Sequence, residues 1–303
     1  MWFWFAVVAL LCWSGSDLFS KIGCRDPKDK TSYLKMVFAV GIVMGLHAFY
    51  EIIFNGVELN LRIVLIYLPV SMLYILSMAI GYLGLRFIEL SISSPICNSS
   101  GAIVAVLVIA TGGLEGEYSA PALIAVALVC IGVIGLGITE VREDEELRRQ
   151  RQKASNFFYS KSAVAIMIPI IYCLLDALGT FADAKVLETL DEDSANAAYE
   201  LTFLAAAVIC GIYVFLIKKE KPSVKKSIPR FVGAAFETAG QFFYIYSLAD
   251  SSHVAYAAPI ISSYCVVSVL WSRLLLKEKL SWKHYICIFI VIFAIVILGI
   301  LDI

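Results

Sequence analysis

The chain has 303 residues, 60% of them hydrophobic and 16% charged, with a mean hydropathy of +0.85. A soluble domain is about half apolar and roughly a quarter charged, so this balance excludes an ordinary water-soluble fold and predicts an all-α integral membrane protein. The net charge of −1 gives no sign of a nucleic-acid partner.

Apolar runs between polar breaks predict ten helices, each near the ~20 residues that cross about 30 Å of hydrocarbon. They cover residues 2–20, 33–54, 63–86, 92–112, 120–138, 162–186, 195–217, 229–249, 253–275 and 283–302. The first lacks a basic leader and a small-residue cleavage site, so it reads as a retained span. Between the fifth and sixth lies "TEVREDEELRRQRQKASNFFYSK", the natural linker between two five-helix halves. The expected units are therefore 1–140, a charged cytoplasmic linker at 141–161, and 162–303.

Of the 24 Lys and Arg, 22 fall on the odd-numbered connections and only Arg62 and Lys185 on the even-numbered ones. Basic residues stay on the cytoplasmic side during insertion, so both termini are expected outside, in a multi-pass protein of a bacterial inner membrane. Seven of the eight cysteines sit in apolar segments, no CxxC pair occurs, and His47, His253 and His284 lie on different spans. No metal and no other cofactor is expected.

A shift of 164 residues lays Gly15 on Gly179, Ser16 on Thr180, Lys21 on Lys185, Tyr82 on Tyr246, Pro95 on Pro259 and Ile96 on Ile260. Near the end of each half the offset slips, and "GEY" at Gly116 meets "KEK" at Lys277. A five-span unit is odd, so the second copy enters from the opposite side. That predicts inverted repeats, the architecture in which a site near the midplane is exposed alternately to each side.

"LRFIELSISSPI" with its downstream "GEY", and "SLADSSHVAYAAPI" followed by "LLLKEKLSW", resemble the two EamA-type repeats of the drug/metabolite transporter superfamily. The resemblance spans essentially the whole chain. It implies ten spans, transport of a small solute and, at family level, outward transport.

Charged groups inside a membrane are costly, so they face the bundle interior or a wet cavity. Tyr172, Asp176, Thr180 and Asp183 share one helical stripe; Glu237, Gln241 and Tyr244 share another, and Trp13 and Asp17 a third. Counting rise along each helix puts Glu237 and Gln241 near the midplane and Asp176 slightly outward. The same count puts Asp17 and Asp183 near the surfaces, where helix-end pairing with Lys21 and contact with Lys185 or interfacial water account for them. The candidate substrate-binding residues are Trp13, Tyr82, Asn98, Asp176, Thr180, Glu237, Gln241, Tyr244, Tyr256 and Ser263. Acidic groups without a Lys or Arg at their depth favour a cation, an amine or a proton, so Glu237 and Asp176 are the candidates for proton coupling.

The expected function is a secondary-active exporter of a metabolite, amino acid or amine. No Walker motif supports an ATP-driven pump. Its expected partners are a small-molecule substrate and the lipid bilayer, in a monomer or homodimer. The alternative is an integral-membrane enzyme acting on a lipid-linked substrate through Asp176, Glu237 and His253. One-signed loops without His speak against it.

Overall fold

The computed structural model describes residues 1–26, 28–111, 119–142, 163–276 and 280–301. Among these residues twelve α-helices follow one another. In the first half they are α1 (Trp2–Cys24), α2 (Ser32–Tyr50), α3 (Leu61–Gly84), α4 (Leu90–Cys97), α5 (Ser100–Ala110) and α6 (Ala120–Val141). In the second they are α7 (Ala163–Val186), α8 (Glu192–Gly211), α9 (Val224–Leu248), α10 (Val254–Ser262), α11 (Tyr264–Leu275) and α12 (Trp282–Leu301). Most of the linker, together with the "GEY" and "KEK" turns, lies outside the described residues.

Local chemistry sets the ends. Asn60 caps α3 by accepting from the Ile63 amide at 3.0 Å, and Asp191 caps α8 by accepting from the Ser194 amide at 2.9 Å. After α2 a π-helical turn, Glu51–Asn55, runs into Gly56, whose φ of 72° stops the helix in the left-handed region that glycine tolerates.

Among the described residues, nine segments are long and apolar enough to cross a membrane. The expected tenth is α9, which has the length at 25 residues but not the apolarity. Lys225, Lys226 and Arg230 occupy its first turns, and Glu237, Thr238 and Gln241 give its middle a polar face. That face is packed against protein: Thr238 and Gln241 are buried.

The fourth and ninth spans are each broken into two helices, α4 and α5 at Asn98–Ser99, α10 and α11 at Ser263. The breaks lie three to four residues beyond Pro95 and Pro259, at corresponding places in the 164-residue shift. Short polar side chains there turn back onto their own backbone, competing with the helix ladder. Asn98 Nδ2 donates to the Ser94 carbonyl at 2.8 Å and Ser99 to the Pro95 carbonyl at 3.0 Å, while Ser263 donates to the Ile260 carbonyl.

Helix pairs join the two halves. α1 lies along α9 and α3 along α7; α2 faces α8, and α6 faces α12; α5 meets α10, and α4 meets α11. Under the shift α1 corresponds to α7 and α3 to α9, so the first two contacts are counterparts. The repeated glycines serve them alike. A Cβ at Gly15 would lie 3.1 Å from the Phe236 ring on α9, and one at Gly179 would lie 3.0 Å from the Tyr74 ring on α3. Outward-facing positions such as Val106, Ile209 and Phe289 are about two-thirds exposed (66%, 69% and 68%), as a surface against lipid tails requires.

Candidate functional site

Helices of both halves enclose a cavity: α1, α3 and α4 of the first, and α7, α8, α9, α10 and α11 of the second. It offers about 70 Å³ to the centre of a water-sized sphere, room for a few waters or the polar end of a small solute. Eight of the ten candidate residues line it: Trp13, Tyr82, Asn98, Asp176, Thr180, Glu237, Gln241 and Tyr244. The other two lie off it. Tyr256 packs its ring 6.3 Å from Trp2 and 6.1 Å from His253, and Ser263 is fully buried in the α10–α11 break.

Three carboxylates face this space, each held by a serine from another helix. Ser16 of α1 donates to Glu237 Oε2 at 2.6 Å, and Ser100 of α5 donates to Asp176 Oδ2 at 2.7 Å. The third is Asp17, whose Oδ2 accepts from Ser94 of α4 and from Ser268 of α11 at 2.8 Å. Its place corrects the expectation of a helix-end pair with Lys21. Helix α1 continues to Cys24, four residues further than expected, which sets Asp17 about 10 Å in from the end. Lys21 instead donates to the carbonyls of Leu85 at 2.6 Å and Ile88 at 2.7 Å, where the chain leaves α3.

Lys21 and Arg230 are themselves buried, at 1% and 4% exposure. Both answer helix-end carbonyls, Arg230 that of Gly23 at 2.9 Å. No Lys, Arg or His is among the described residues lining the cavity.

One end of the cavity is walled by tyrosines. Tyr67 donates to Asp183 Oδ1 at 2.7 Å and Tyr74 to Oδ2 at 3.4 Å, while the Tyr74 hydroxyl also meets that of Tyr244. Asp183 is fully buried there, not interfacial as expected, and Lys185 pairs with Glu188 at 3.0 Å. Distance along its own helix misplaced it, because α3 and α8 cover that end with Tyr67 and Tyr199.

Four polar groups on the lining have no hydrogen-bond partner among the described residues: Trp13 Nε1, the Ser20 and Tyr82 hydroxyls, and Gln241 Nε2. The indole and amide nitrogens are donors only, so the site offers donors beside its carboxylates. Gly240 lets Trp13 lie flat against α9, with the Tyr244 ring 5.0 Å away. The repeated tyrosines part company. Tyr82 faces the cavity, whereas Tyr246 donates to Asp193 at the other end of the bundle.

Residues 154–300 match the model of the EamA-like transporter family. The chain is similar to that family over this stretch, just under half of its length. No curated protein matches the sequence. A solved crystal structure superposes on this EamA-like chain with a TM-score of 0.67, covering 99% of it and 96% of its own length at 14% identity. That likeness concerns the fold alone. With nine apolar segments long enough to cross a membrane among the described residues, the chain is an integral multi-pass membrane protein whose second half is similar to a transporter family, and its cavity is lined from both halves.

Proposed function

We propose that the chain is a secondary transporter that carries a small amine-bearing or zwitterionic solute outward across the cytoplasmic membrane, by alternating access between two inverted five-helix repeats. The observation that carries this reading is the lining of the cavity. Asp17, Asp176 and Glu237 face it without a Lys, Arg or His among the described lining residues. An unbalanced set of carboxylates inside a bundle attracts a cation or takes up protons. The unpartnered donors of Trp13 and Gln241 suit the carboxylate of a zwitterion, whose amine the acids would hold.

The paired contacts α1–α9 and α3–α7 support the inverted arrangement, as do span breaks at matching positions. Glu237 and Asp176 are assigned the coupling proton. Each is held by one serine hydroxyl, which stays bonded whether the carboxyl is charged or neutral.

Counterflow of radiolabelled amines and amino acids into proteoliposomes tests the reading. Wild-type protein is expected to exchange solute without altering it, at a rate that changes across pH 6 to 8, and Glu237→Gln to lose that pH dependence. A Glu237→Gln variant with the wild-type profile removes Glu237 from coupling. A chemically modified solute would favour an enzyme instead.

A further inference from the structure

At the end of the bundle where α1 meets α2 and α8 meets α9, a second pocket of about 490 Å³ opens between the halves. Six cations line it: Lys28, Lys30, Lys35, Lys221, Lys226 and Arg230. Only Asp29 and Glu220 oppose them on the lining, leaving a net charge of +4.

The carboxylates are already engaged. Asp29 takes Lys35 and Arg230, both at 2.9 Å, Glu220 also takes Lys35, and Lys226 reaches Asp26 at 2.8 Å. Lys28, Lys30 and Lys221 carry no ion-pair partner among the described residues, so the surplus charge is theirs. The inner wall is apolar, formed by Phe38, Phe215 and Phe231.

This pocket does not end at the headgroup level. Pro222, Ser227 and Phe231 also border a groove of about 810 Å³ that runs along the outside of α9, past Ile228 and Ala235. The groove is almost wholly apolar and faces the lipid. A cationic cup opening into an apolar channel has the two-part chemistry of a phospholipid with an anionic headgroup.

We propose that this composite site binds one anionic phospholipid, its phosphate among Lys28, Lys30 and Lys221 and an acyl chain along α9. The distribution of basic residues puts this end in the cytoplasmic leaflet, where anionic lipids attract basic segments. The lipid would sit across the seam between the α1–α2 connection of one half and α9 of the other. The site is separate from the cavity, and the inference stands whether or not the transport reading holds.

Thermal unfolding of the full chain in uncharged detergent tests it. The probes are phosphatidylglycerol, phosphatidylcholine with the same chains, and inorganic phosphate. Phosphatidylglycerol is expected to raise the Tm at about tenfold lower concentration than phosphatidylcholine. The triple variant K28S/K30S/K221S should lose that preference with an unchanged lipid-free Tm, since these lysines hold no ion pair among the described residues. Ala235→Trp, at an exposed position in the groove, should weaken the phosphatidylglycerol effect about fivefold.

Equal shifts from the two lipids, or a preference that survives the triple substitution, would overturn the proposal. So would phosphate reproducing the whole shift while Ala235→Trp changes nothing, which would mark a free-anion site.

Discussion

Asp17 Oδ2 takes hydroxyls from α4 and α11, one from each half, so a single oxygen ties both broken spans to α1. A hydrogen bond to a charged group contributes about 1.5–3 kcal/mol, so Ser268→Ala should lower thermal stability in detergent by an amount in that range. The double variant S94A/S268A should cost more than the two singles added, because each single leaves the shared oxygen one donor and only the double leaves it none. At the tyrosine wall, Tyr67→Phe keeps the ring and deletes the 2.7 Å bond to buried Asp183, leaving that oxygen unsatisfied. The expected cost is about 1–3 kcal/mol, read as a Tm loss absent from Tyr50→Phe at an exposed site. Helical spacing alone put Tyr172, Asp176, Thr180 and Asp183 on one face, and the first three line the cavity. What these side chains meet was not legible, because the serines that hold the three cavity carboxylates come from other helices and short hydroxyls look alike in every span.

Packing between helices turns on a few close approaches. A Cβ on Gly41 would overlap the Phe203 carbonyl oxygen of α8 and stand 2.5 Å from the Ala207 methyl, both fixed parts of the structure. At Gly45 it would meet the Leu204 side chain at 2.8 Å, which is free to turn aside. Gly41→Ala should therefore destabilise the fold by about 1–3 kcal/mol and Gly45→Ala by clearly less, measured by thermal unfolding. Span limits were largely legible, since runs of apolar residues report lipid-facing length. The exceptions share one cause. α9 fell short of apolarity, and the fourth and ninth spans broke, where polar side chains find partners inside the bundle and hydropathy records only their cost.

Across the whole molecule, Asp29 sits in the basic end of the seam, linking Lys35 of the first half to Arg230 of the second. Burial pushes its carboxyl up, but the hydrogen bonds and charges of Lys35 and Arg230 outweigh that and hold it below its ordinary 3.8. A folded value below the unfolded one stabilises the fold above about pH 4, and the contribution disappears as pH falls through the folded value. Between pH 5 and 3 the Tm of wild type should fall more steeply than that of Asp29→Asn, which lacks the titrating group. The matching positions of the two span breaks follow the six identities and similarities at one spacing in the sequence. The ion cluster was not legible there, since its members lie up to about 200 residues apart and their loops read only as one-signed charge.

The interrupted spans bear on how such a bundle can open. A continuous helix carries a tilt from one face of the bilayer to the other, so loosening one mouth would loosen both. Asn98, Ser99 and Ser263 bond to their own chain, so bending at either joint breaks no tie to a neighbour through those groups. The two rods of the fourth span are instead tied to different helices, α4 to Asp17 of α1 and α5 to Asp176 of α7, so the joint uncouples the tilt of one rod from that of the other, like the two leaves of a stable door.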